Sequence, residues 1–216
     1  MKLAQPCLVI DGSARSGVRV GVLADDRWVG QGVSDEGALE ATFDCAERAL
    51  AEAKLTLADI RAFAVCAGPG SVLGIRVSAL AVRAWVVLQA RPIFVWESLS
   101  ALAVAARSEG MPAPFVVAQE SRLKRWNRIE VGPDGACSEV AEVSADDLRA
   151  AALTIVSDSL AAPGLFPEHR IIAQPWAQLP TLFAATDLLR AQDKPEALNP
   201  ATDFAAWSGE RHRGPA

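Results

Sequence analysis

Histidine is scarce in this chain: His169 and His212 are the only two among 216 residues, and they stand far apart. No HxxxH or HExxH pair is present, which removes the usual helical metal pair and the zinc-protease motif. No GxSxG elbow offers a serine nucleophile, and no GKS or GKT completes a P-loop. With two histidines and no clustered acids, acid–base catalysis has few groups to use. Cys7, Cys45, Cys66 and Cys137 form no CxxC, and three of them lie in apolar runs. Buried reduced thiols are therefore expected, as in a reducing cytosol. No apolar run reaches the ~20 residues that span a membrane; the longest, Val77 to Ala90, is broken by Arg83. The first residues lack the apolar core of a signal peptide, so a cytoplasmic protein is expected. Net charge is -5 and the pI about 5.1. That balance argues against stand-alone nucleic-acid binding, which rests on many Lys and Arg contacts to phosphate.

What is present is apolar: 51% of residues are hydrophobic, enough for one large domain or two small lobes. Leu8-Val9-Ile10 reads as a buried strand, Val18 to Leu23 as a second and Trp28-Val29-Gly30 as a third, joined by short turns. A helix follows, with Ser34 or Asp35 as its cap and Leu39, Phe43, Ala46, Leu50 and Ala53 at helical spacing. Ala62 to Cys66 is an apolar strand, Leu73 to Gln89 a helix apolar nearly all round, and Ile93 to Trp96 the next strand. Leu99 to Arg107 is helical again.

This β-β-β-α-β-α-β order belongs to an actin-like α/β fold, a mixed sheet flanked by helices. Pro112 and Pro114 divide the chain into an N-terminal lobe (1–110) and a smaller second lobe with a polar tail (111–216). In the second lobe, strands are expected at Phe115 to Ala118, Arg128 to Val131 and Thr154 to Val156. Helices are expected at Asp146 to Ala151 and Leu179 to Ala191. No internal repeat and no low-complexity tract is visible.

The most specific element is Gly68-Pro69-Gly70-Ser71, followed by Gly74-Ile75-Arg76. Strand, glycine-rich turn and helix N-terminus together suit an anion; the same residues also suit a plain turn with Ser71 as N-cap. Asp11 and Ser13 follow the first strand. Asp11 stands where actin-like enzymes hold Mg²⁺ and nucleotide, so the pair reads as a vestigial phosphate site or as a simple turn. Arg122, Lys124, Arg125 and Arg128 surround Trp126 in the one basic cluster of the chain. Such a cluster can hold single-stranded RNA by charge and stacking, or form a solvated edge with the tryptophan tucked beneath.

Gly68-Pro69-Gly70-Ser71 with Gly74 and Arg76 resembles the GPGSFTGxR signature of the TsaB (YeaZ) family. Ile10-Asp11-Gly12-Ser13 is similar to the family's opening, and Pro92 to Ala103 to its later P-x-x-x-V-S-S-L-x-A-L-A stretch. The resemblance covers about the first 105 residues. It departs in lacking a histidine between Ser34 and Thr42, and in a second-lobe stretch, Glu120 to Asn127, that keeps only an arginine and an acid.

The resemblance implies a two-lobed, ribonuclease H-like (ASKHA) protein without transfer chemistry of its own. It would pair with the catalytic subunit TsaD in forming threonylcarbamoyladenosine in tRNA, joined by the ATPase TsaE, and meet tRNA only through that complex. It implies no cofactor and no metal; a nucleotide, if one binds, belongs at the partner interface. The helices flanking the signature strand would form a bundle with TsaD or with a second copy. Leu39, Phe43, Leu50, Val77, Leu80, Ala81, Ala84 and Trp85 would line it. An arginine at Ala81 or Ala84 is then expected to abolish pairing and spare the monomer. The alternatives are a small nucleotide-dependent kinase or ATPase of the same superfold, which would need a fuller second lobe, and a homodimeric interaction module unrelated to tRNA.

Overall fold

The computed structural model describes residues 3–14, 17–121, 125–149, 154–157 and 170–195, with backbone only at 154–157. Outside these fall both histidines, Arg122 and Lys124 of the basic cluster, the end of the helix expected at 146–151, and the polar tail from 196.

Three strands open the chain, β1 (Cys7–Asp11), β2 (Val18–Ala24) and β3 (Arg27–Ser34), paired antiparallel in sequence order. Helix α1 (Ala38–Ala53) returns the chain to β4 (Ala62–Gly68), which lies parallel to β1. Helix α2 (Val72–Leu88) leads to β5 (Ile93–Glu97), parallel to β4. Neither Ser34 nor Asp35 caps α1: its N-cap is Gly37, without a side-chain bond, and the Ser34 hydroxyl instead accepts from the Glu36 amide. The short apolar runs of the central strands are explained by burial on both faces. Leu8, Ile10, Phe63 and Val65 pack beneath α1 and α2, while Val9, Ala64, Cys66 and Trp96 pack on the opposite side.

Helix α3 (Ser98–Ser108) lies between this sheet and a second one. Ala101 and Ala105 face the first core; Leu99, Leu102, Ala103 and Ala106 face the second. The second sheet holds β6 (Phe115–Glu120), β7 (Arg125–Val131), β8 (Ala141–Ser144), β9 (Thr154–Ser157) and β10 (Arg170–Ile172), with the five-residue helix α4 (Ala145–Arg149) between β8 and β9. Its order, β8-β7-β6-β9-β10, repeats that of the first, β3-β2-β1-β4-β5. In both, three strands meander and two more join in parallel. The repeat lies in topology and has no visible trace in sequence. The architecture is the actin-like mixed sheet flanked by helices.

The helix expected from Leu179 to Ala191 stops early. Helix α5 (Leu179–Ala185) ends there, and Arg190–Gln192 forms β11, antiparallel to β5 at the edge of the first sheet. An Arg190–Glu97 ion pair fastens that edge. Trp176 stacks on Trp28 of β3, ring centroids 4.6 Å apart, and its indole N–H donates to Gln31 at 2.8 Å. Residues 176–192 thus return across the first sheet and cover its second face with Leu179, Leu182 and Phe183. Among the described residues, no helix is long and apolar enough to cross a membrane.

Cys7, Cys45 and Cys66 are buried and Cys137 is exposed. Burial raises all four thiols, Cys7 and Cys66 the most strongly. A thiol reagent is expected to titrate Cys137 alone in the native protein, slowly at neutral pH, and all four residues in denaturant.

Candidate functional site

The signature segment forms a tight joint between two backbones. Asp11 closes the turn after β1 by accepting from the Ser13 amide at 2.8 Å. The Ser13 carbonyl then accepts from the Ser71 amide at 2.8 Å, tying that turn to the GPGS loop. Gly70 has φ +156 and sits against the Ser13 carbonyl so closely that a Cβ would fall inside 3.0 Å of it. One turn into α2, Gly74 meets Gly12: a Cβ on Gly12 would stand 2.5 Å from the Gly74 carbonyl oxygen and 2.6 Å from the Ser78 hydroxyl. The spacing of Gly70, Ser71 and Gly74 follows from this contact, because α2 can begin there only if both sides lack side chains.

Ser71 caps α2, accepting from the Gly74 amide at 3.3 Å, and the Ser78 hydroxyl donates to the Gly74 carbonyl at 2.9 Å. Ser98, at the start of α3, donates to the Pro69 carbonyl at 2.7 Å. The loop therefore joins β1, β4, α2 and α3. Asp11 and Ser13 are both buried, and the Cys66 thiol sits against them, pushed up by burial and then by the Asp11 carboxylate. The turn and the GPGS loop are bonded to each other through the Ser71 amide and the Ser13 carbonyl. Ser98→Ala removes a buried donor and is expected to cost about 1 kcal/mol, measured by urea unfolding.

Sequence spacing alone singled out neither Gly12 nor Ser78 nor Ser98, because each acts on a residue distant in the chain. Arg76 lies on the exposed side of α2, away from the joint.

Beside the joint, α1 and α2 lie together over one face of the sheet, with Phe43 edge-on to Trp85 at 5.8 Å. Leu39, Phe43, Leu80 and Ala84 are exposed, and Leu50 and Trp85 are half-buried. Val77 and Ala81 differ from the expectation: both point inward, Ala81 at 1% exposure. An arginine there would enter the core and cannot spare the monomer. Four residues absent from the expected set are exposed instead: Val72, Leu73, Val87 (86%) and Leu88. Among the described residues nothing encloses that side of α2, and its apolar surplus lies at the surface. The face is an uncovered apolar patch flanked by charge.

Among the described residues of the basic stretch, no aromatic ring is exposed for stacking. Trp126 is 2% exposed, packed with Val116, Ala118 and Leu148. Arg125 pairs with Glu142 and Arg128 with Glu130. The β7 alternation places the tryptophan beneath the sheet and its charges at the edge.

Residues 37–122, roughly two-fifths of the chain, match the family described as TsaD, tRNA N6-adenosine threonylcarbamoyltransferase. No curated protein matches the sequence. Among solved structures, YeaZ from Pseudomonas aeruginosa superposes with a TM-score of 0.62 at 18% identity, covering 77% of this chain and 83% of that one. A second structure, an uncharacterized protein with similarity to peptidase YeaZ from Pseudomonas aeruginosa, gives 0.59 at 20% identity, covering 77% and 82%. The TsaD-family segment begins just ahead of α1 and ends just past β6, so it contains the GPGS side of the joint and both helices of the apolar face, while the turn after β1 lies outside it. A TsaD-family segment thus lies within a chain whose fold is similar to that of YeaZ.

Proposed function

We propose that this chain is a non-catalytic subunit that pairs with a TsaD-like catalytic subunit in forming threonylcarbamoyladenosine in tRNA. The observation that carries the reading is the apolar face of α1 and α2, held in place by the signature joint. Fully burying a leucine or valine side chain contributes about 1.5–3 kcal/mol. Covering Leu73, Leu80, Val87 and Leu88 is thus a driving force of several kcal/mol toward a partner. The joint serves this role as a fixed hinge-free mount: it sets the start of α2 against β1 and so fixes where the face lies.

In this reading transfer chemistry, metal and tRNA contact belong to the catalytic partner, and the complex works in the cytoplasm with a TsaE-like ATPase. The acidic balance of the chain supports tRNA contact through the partner. Asp11 and Ser13 serve the joint; a nucleotide, if one binds, lies at the subunit interface. The test is co-purification with the TsaD-like subunit of the same organism, then a threonylcarbamoylation assay with and without this chain. Activity that needs both supports the reading. Two proteins that neither bind nor cooperate would overturn it and bring forward the nucleotide-dependent kinase or ATPase.

A further inference from the structure

The exposed side of α2 carries Leu73, Arg76, Leu80, Arg83 and Val87, all outward-facing. Their spacing alternates three and four residues, the a/d spacing of a helical seam. Two arginines therefore stand inside an apolar stripe, about 10 Å apart along the axis at 1.5 Å per residue. Helix α2 contains no acidic residue. Among the described residues neither Arg76 nor Arg83 has an ion pair or hydrogen bond. A partner that covered the seam with apolar side chains alone would strand two guanidinium groups away from water, and uncompensated buried charge is strongly unfavourable.

We propose, resting on the partner-subunit reading above, that the catalytic partner covers α2 with an acidic helix. Its carboxylates stand one heptad apart, one opposite each arginine. Arginine suits this role because its planar fork takes a carboxylate bidentately and sheds water more readily than an ammonium. A second copy of this chain is disfavoured on the same seam. Two α2 helices packed on each other across a two-fold axis set arginine against arginine, Arg76 against Arg83 where they run antiparallel and Arg76 against Arg76 where they run parallel, and like charges so placed repel.

The test is the double substitution Arg76→Leu with Arg83→Leu, which completes the apolar seam. Both arginines are exposed and unpaired, so the fold should hold, as circular dichroism and thermal melting will check. Affinity for the TsaD-like subunit is measured at about 50 mM and about 500 mM NaCl, since screening separates ionic from apolar docking. The expected result is a loss of about 30-fold or more in the double variant, because its partner's carboxylates are left buried and unpaired, together with clear weakening of the wild type at high salt. Unchanged or tighter binding by the double variant would overturn the acidic helix and leave the partner reading standing. A wild-type chain that binds at neither salt would overturn both. A dimer of the isolated chain that the double substitution dissolves would overturn the catalytic partner as the occupant of this seam, since Glu40 and Glu47 of a second copy offer the same seven-residue spacing.

Discussion

Gly74→Ala is expected to lower stability by about 2 kcal/mol in urea unfolding, although it places a better helix former inside a helix. The intrinsic gain from glycine to alanine in a helix is about 1 kcal/mol. Against it stands the contact with Gly12, where an added Cβ would fall inside 3.0 Å of a carbonyl oxygen. That neighbour is backbone in the turn after β1 and has no rotamer to change. Overpacking at a rigid contact costs typically 1–3 kcal/mol and sometimes more, so the clash outweighs the propensity. Gly12→Ala attacks the same contact from the other side, with the Gly74 carbonyl at 2.5 Å. The double variant should cost less than the sum of the two singles, because one separation of α2 from β1 relieves both clashes. Gly110→Ala is the control. Nothing lies within 4 Å of its Cβ position and only its φ of +86 is at stake, so it should cost about 1–2 kcal/mol. A stable Gly74→Ala protein would mean that the signature glycines answer to something other than this joint.

The sequence made the first sheet legible because its strands are buried on both faces and its helices are long. Apolar runs such as Leu8 to Ile10 and Ala62 to Cys66 declare themselves without a partner, and α1 and α2 carry four or more turns each. The later elements are short and depend on distant partners. β11 has three exposed residues and exists through its pairing with β5; in sequence it continued a helical pattern. The topological repeat was hidden because the five-residue α4 stands where the sixteen-residue α1 stands in the first sheet.

At the candidate site the motif was visible but its work was not. A strand, a glycine-rich turn and a helix N-terminus look alike whether they meet an anion or another backbone. Here the loop meets the carbonyls of Gly12 and Ser13, more than fifty residues upstream. The sequence shows that α2 carries more apolar surface than one side can use, yet apolar residues on all sides of it do not reveal which side meets the sheet. The start of the helix fixes that rotation. Once Gly74 and Ser78 face the turn after β1, Val82 packs into the core beneath the helix, Ile75 is buried, and Leu73, Leu80 and Val87 fall outside.

That rotation makes neighbouring positions behave in opposite ways, and Leu80→Asp against Ala81→Arg shows it. Leu80 is 60% exposed and Ala81 1%. Leu80→Asp places a solvated carboxylate on the monomer surface, where a substitution usually stays within about 0.5 kcal/mol. Its thermal midpoint should hold while affinity for the TsaD-like subunit falls by about 100-fold or more, since docking would bury an unpaired charge. Ala81→Arg drives a long cation into a position with no room and no carboxylate partner. Its cost should be about 4 kcal/mol or more, the range reserved for buried unpaired charge and core overpacking, read as a large fall in the urea midpoint of the isolated chain. Lost affinity in that variant would reflect unfolding and say nothing about the interface. Two readouts, stability of the chain alone and affinity at a temperature where it is folded, separate the cases. If Leu80→Asp keeps full affinity, α2 is not the docking helix, and the partner-subunit reading must find another surface.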